Sequence, residues 1–167
     1  MKPGDHPEFF RFPPPEGRSR ESTIVLDREG RFWHEGQLVT HPGMQSAFAS
    51  WIMRHPDDGR FILSNGFDWT YFTVEDVPFF VRSLRVEGGE PVLALSDGSE
   101  EPFDAASATL GDRDALYVRV KSGAYEARFT PTAQTAIEPF LVEGAAGEPE
   151  LELHGKRYAI RPRASGN

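Results

Sequence analysis

His34-Glu35 with His41 is the first grouping in this chain whose residue types could do chemistry. A metallohydrolase helix carries two histidines at i and i+4 with a glutamate between them. Here His34-Glu35-Gly36 falls at a turn and His41 follows seven positions later. With Asp68 or Asp76 added, the two imidazoles would make a nitrogen and oxygen donor set. The plainer reading makes His34 a half-exposed turn residue and His41 part of a helix cap. Glu75-Asp76 is a second candidate, since paired carboxylates do acid/base work when burial separates their pKa values. Neighbours on a strand point to opposite faces, however. Asp76 is better suited to holding backbone N–H groups in the turn into Pro78. Trp33, Trp69 and Tyr71 form a third set, either an aromatic groove for a sugar, a base or a peptide, or core beneath a helix with Trp51 as cover. No Gly-x-Gly-x-x-Gly, phosphate loop or Gly-x-Ser-x-Gly elbow occurs, and Ser64-Asn65-Gly66 reads as a hairpin. No residue is assigned a catalytic role, no metal set is complete, and no cofactor is called for.

The elements that would position these groups belong to a chain of 167 residues, enough for one domain or two small ones. Thirteen Phe, three Trp and four Tyr make much of the core aromatic. A net charge of −8 argues against tracking a nucleic-acid backbone or an anionic membrane surface. The absence of cysteine removes disulfides, thiolate metal sites and thiol nucleophiles. With neither an apolar leader nor a membrane-length apolar run, the expected compartment is the cytoplasm.

Residues 1–22 read as a proline-rich arm, with Phe9-Phe10-Arg11-Phe12 either a docking motif for a partner or a segment packed back on its own domain. Residues 23–96 form a first lobe. Its strand Thr23–Asp27 turns at Gly30 into Arg31–His34, then turns again at Glu35-Gly36. Pro42 opens a helix with Thr40 or His41 as cap, and the stripe Met44, Phe48, Trp51, Ile52 carries it to His55, before Pro56. Asn65-Gly66 predicts a type I′ turn between Arg60–Ser64 and Phe67–Val74, with Phe67, Trp69 and Tyr71 on one face. A further hairpin spans Phe80–Val86 and Pro91–Leu95. Residues 97–114 connect to a second lobe at 115–163, and 164–167 form a tail. The second lobe repeats the first in outline: a hairpin across Lys121-Ser122-Gly123, a helix from Pro131 with the stripe Ala133, Ile137, Phe140, Leu141, and a hairpin across Gly155. Pro42 and Pro131, Gln45 and Gln134, and Ala47 and Ala136 are identical pairs at one offset, which an internal duplication would produce. Pro139 should stop or kink the second helix. The expected fold class is α+β: two strand-rich lobes of antiparallel hairpins, each with one helix.

These elements resemble the bacterial family called domain of unknown function 1285. The resemblance rests on Ile24-x-Leu26-Asp27-x-x-Gly30-x-Phe32/Trp33-His34-Glu35-Gly36, on Phe48-Ala49-Ser50-x-Ile52, and on Val74-Glu75-Asp76-x-Pro78-Phe79-x-Val81. It covers about Ile24 to Gly89 and extends more weakly toward the C-terminus. There Glu138-Pro139 and Leu151-Glu152-Leu153-His154-Gly155-Lys156 depart from the family's longer helix and Gly/Trp-rich hairpin. The resemblance implies a pair of compact α+β subdomains without an established activity, and it supplies no catalytic residues.

The leading functional expectation is a non-catalytic cytoplasmic module binding a small molecule or a protein partner between its lobes, through Trp33, His34, Trp69, Tyr71 and Asp76. One rival is a hydrolase-type enzyme with His34 as base and Asp68 or Asp76 as orienter or metal ligand. Another is a homo-oligomer or scaffold docking through the Phe9–Phe12 arm.

Overall fold

Turn chemistry sets the first strands. The computed structural model describes residues 1–164, so the expected tail lies outside the described residues except for Ala164. By its internal contacts the chain forms two compact units, Met1–Pro78 and a second that begins at Phe79.

In the first unit β1 (Val25–Leu26) pairs with β2 (Phe32–His34) across a loop in which Gly30 takes φ +85°, as the turn requires. At the next turn Glu35 and Gly36 both have positive φ, and β3 (Gln37–Leu38) returns along β2. The first helix, α1 (Pro42–Ser50), starts where expected. Pro42 occupies its first turn, and the His41 Nδ1 accepts from the Gly43 and Met44 amides at 3.1 and 3.3 Å. It stops five residues short of His55. The continuation Ile52–Arg54 is instead a strand, β4, paired with β5 (Phe61–Ser64). The apolar stripe was therefore shared between two elements: Ile52 is buried as a strand residue opposite Leu63, while Met44 stays 49% exposed. The expected strand over 67–74 is also divided. Its part β6 (Trp69–Tyr71) pairs with β5, whereas β7 (Thr73–Val74) runs parallel to β1. The Asn65-Gly66 turn is not type I′. Only Gly66 of the two central residues, Gly66 and Phe67, has positive φ. The Asn65 Oδ1 accepts from the Phe67 and Asp68 amides, both at 2.8 Å. Phe67 projects 64% exposed instead of joining the Trp69 face.

The second unit is built on a seven-stranded sheet. Strands β8 (Phe79–Glu87) and β9 (Glu90–Leu95), assigned from sequence to the first lobe, belong here because β8 pairs in parallel with β13 (Tyr125–Phe129). The supposed connection 97–114 is also part of the sheet. It contains β10 (Glu100–Pro102), which pairs with β9, and β11 (Thr109–Leu110), which pairs with β12 (Leu116–Val120). The second helix, α2 (Pro131–Ile137), ends before Pro139, and Ala133 and Ile137 are fully buried. A three-stranded meander follows: β14 (Leu141–Glu143), β15 (Pro149–Leu153) and β16 (Lys156–Ala159). Strand β17 (Arg161–Pro162) then runs parallel to β11.

The two units share one topology. The order β3-β2-β1-β7 in the first matches β13-β12-β11-β17 in the second, and each helix leads into a three-stranded meander. The registers agree as well: Val25 faces Trp33 and Thr73, and Thr109 faces Tyr117 and Arg161. Strands β8, β9 and β10 stand outside the repeat. The architecture is α+β and strand-rich, as expected, with parallel pairs added to the antiparallel hairpins.

Candidate functional site

Among the five residues expected to form a binding face, the structure stacks Trp69 and Tyr71 edge to face at 5.1 Å. They do not lie beneath Trp51. Strand alternation puts Trp69, Tyr71 and Ile62 on one face of their meander, and Leu63, Thr70 and Ile52 on the other. The partners of the Trp69 face come from the N-terminal segment: Phe9 is buried with Ile62 and Trp69, and Phe10, Met53 and Tyr71 pack against them. The Arg20 guanidinium covers the Trp69 ring at 4.4 Å. Trp33 and His34 belong to the other sheet. The Trp33 indole N–H donates to Asp27 Oδ2 at 2.8 Å, and His34 is exposed. Asp76 is half-buried in the turn before Pro78.

The Phe9–Phe12 segment packs on its own unit, the second of the two readings the sequence offered. Of its three phenylalanines only Phe12 projects, at 61% exposure. Gly4 N–H donates to Gly66 O at 2.8 Å, an approach so close that a Cβ on Gly4 would stand 2.9 Å from Gly66 Cα. Arg11 forks onto Asp57 at 3.1 and 3.2 Å. His55, overlooked at the sequence level, is the hub of this contact. Its buried ring packs edge-on against Trp69 at 5.0 Å and stacks on Tyr71 at 5.7 Å. Its Nδ1 accepts from Asp57 N–H at 3.1 Å, which leaves Nε2 to donate to Phe10 O at 3.0 Å. Burial and the nearby Asp58 carboxylate push the Tyr71 phenol above its ordinary pKa. His55→Ala is expected to cost about 2 kcal/mol through these two bonds and to speed tryptic cleavage after Arg11 and Arg18. An unchanged cleavage rate would show that the histidine does not hold the segment.

Metal chemistry at the sequence candidates has no geometric support: among the described residues no group of three or more His, Asp or Glu side chains is placed to hold an ion. Asp68, the proposed orienter for His34, is instead tied to Arg20 at 2.6 Å.

Two cavities occupy equivalent places in the repeat. Across the first meander, Ile52, Leu63 and Thr70 form one row; across the second, Leu141, Leu151 and Tyr158 do. Asn65 and Asp68 therefore correspond to Leu153 and Lys156. In the first unit, Leu63, Asn65, Asp68 and Thr70 line a cavity of about 170 Å³ together with Phe48 and Trp51. Its polar groups are already used: Thr70 Oγ1 donates to Arg20 O at 2.7 Å, and Asp68 holds Arg20. In the second unit, Leu153, Lys156 and Tyr158 line a cavity of about 310 Å³ whose other wall is Glu90, Pro91 and residues 102–106, from the end of β10 into the turn that follows it. There His154 Nε2 pairs with Glu90 Oε1 at 3.0 Å. No signal in the sequence indicated this site, because its walls come from segments about fifty residues apart.

This arrangement defines a class of strand-rich α+β protein with two units of like topology, and solved structures carry the same fold. A DUF1285 family protein from Silicibacter pomeroyi DSS-3 matches with a TM-score of 0.65 and 19% identity, over 89% of this chain and 83% of its own. A DUF1285 family protein from Shewanella baltica OS155 matches at 0.54 and 19%, over 71% of this chain and 91% of its own. The chain thus has a DUF1285-like fold, and the likeness supplies neither a catalytic nor a binding role. No protein-family model and no curated protein matches the sequence. No helix among the described residues is long and apolar enough to cross a membrane.

Proposed function

We propose that this protein is a non-catalytic binding module that takes a small organic molecule into the cavity of its second unit. The observation that carries the reading is the convergence of unspent polar groups on an apolar floor. Asp104, Lys156 and Tyr158 line the cavity, yet their side chains have no hydrogen-bond or ion-pair partner among the described residues. Phe103 and Leu153 are buried beneath them. A volume near 310 Å³ lies at the lower end of ligand pockets, roughly 300–1,000 Å³. No Ser, Thr or Cys lines it, so the Glu90–His154 pair has no aliphatic hydroxyl or thiol nucleophile there to activate. The cysteine-free, acidic composition supports a cytoplasmic location and disfavours nucleic acid as the partner.

Thermal unfolding against a metabolite panel tests the reading. A ligand at ~100 times its dissociation constant adds ~2.7 kcal/mol, roughly 5–10 °C for a chain of this size. Ala106→Trp, which fills the cavity from an exposed lining position, should abolish the shift. An undiminished shift in that variant would place the ligand elsewhere.

A further inference from the structure

We infer that the ligand of the second-unit cavity is a zwitterion: a small amino acid or short amino-carboxylate whose ammonium meets Asp104 and whose carboxylate meets Lys156. The inference rests on the site reading above and adds the ligand's class. A carboxylate and an ammonium line one cavity, yet they do not pair with each other or with any other described residue. Opposite charges that share a concave wall and stay apart are complementary to a molecule carrying both charges, because each then gains a charge-assisted hydrogen bond without a protein competitor. Their neighbours reinforce the choice. Glu90 and His154, which also line the cavity, engage each other at 3.0 Å and so leave Asp104 and Lys156 as the groups available to a ligand. Phe103 and Leu153 offer apolar contact to a ligand's carbon skeleton, and the Tyr158 hydroxyl can donate to its carboxylate or accept from its ammonium.

The equivalent place in the first unit explains why the class is specific to the second. There Asp68 stands where Lys156 does, and Arg20 neutralises it at 2.6 Å. Thr70, in the place of Tyr158, is bonded to the backbone of the same arginine. The first unit has closed its charge pair within the protein; the second leaves it open.

Isothermal titration of the full chain with glycine, β-alanine, 4-aminobutyrate and leucine, beside propionate, propylamine and propionamide, tests the class. At least one zwitterion should bind, and the other analogues should bind roughly tenfold or more weakly, one charged contact being lost in propionate and propylamine and both in propionamide. Asp104→Asn and Lys156→Gln, both at exposed positions, should each weaken the zwitterion by a similar factor and leave thermal stability unchanged. Binding of a singly charged or neutral analogue as tight as that of every zwitterion, abolished by Ala106→Trp, would overturn the class and leave the site standing. Zwitterion binding that survives Ala106→Trp, or no binding by any probe, would overturn the class, and the former would also remove the site.

Discussion

Trp69→Ala is expected to lower the stability of the first unit by about 3–5 kcal/mol, the range for truncating a buried large aromatic. Trp69 is 6% exposed and joins Phe9, Ile62, Phe10 and Tyr71 in one cluster, so its removal opens a void beneath the N-terminal segment and detaches the Arg20 stack. Trp69→Phe should behave differently. The indole N–H is buried without a hydrogen-bond partner, and losing it removes a desolvated donor that contributes nothing. That variant should cost under about 1.5 kcal/mol. Both are measurable by denaturant unfolding followed through the fluorescence of Trp33 and Trp51, which also lie in the first unit. A large loss in both variants would mean that the N–H has an acceptor in solution, and a small loss in both would mean that the segment does not depend on the ring.

Asp27→Asn is expected to cost about 2–4 kcal/mol, as a buried carboxylate that organises several donors is neutralised. The Asp27 carboxylate accepts from Glu29 N–H, Arg31 N–H and Arg31 Nε–H, each at 2.9 Å, and from Trp33 Nε1–H at 2.8 Å. The amide that replaces one oxygen would face donors with a donor. Burial alone would raise the pKa of this carboxylate, but the hydrogen bonds from Trp33, Arg31 and Glu29 outweigh it and hold the group below its ordinary value. A depressed folded-state pKa means that the stabilisation is complete above the unfolded value, ~3.9. It is lost as the pH falls through the folded value. The wild-type chain should therefore lose stability on acidification below about pH 4, and Asp27→Asn should show a flatter acid limb. Equal acid limbs would assign the pH dependence to other carboxylates.

Legibility followed sequence distance. The turn at Glu35-Gly36 with its two positive-φ residues, the helix starts at Pro42 and Pro131, and the stop before Pro139 are decided by backbone sterics over a few residues, and the structure has them as expected. Spacing alone misled at α1. Its stripe fits one long helix, but the backbone beyond Ser50 is satisfied by β5, with Ser64 N–H donating to Trp51 O at 2.9 Å. Residue type alone misled at Asn65-Gly66, where the asparagine caps its own loop through Oδ1 and Phe67 keeps negative φ. His55 was passed over because a histidine beside proline and aspartates looks like a surface turn. Packing against Phe10, Trp69 and Tyr71 buries it.

By itself the sequence determined the α+β class, the turns at Gly30 and Glu35-Gly36 and the helix starts, all written in local backbone preferences. Tertiary structure decided the rest: that β8 and β9 join the second sheet, that β7 and β17 close parallel onto β1 and β11, that the N-terminal segment covers Trp69, and that Asp104 and Lys156 share a cavity. Each of those outcomes pairs residues far apart in the chain, and such pairs are chosen by which backbone groups and apolar faces remain unsatisfied once the local elements have formed.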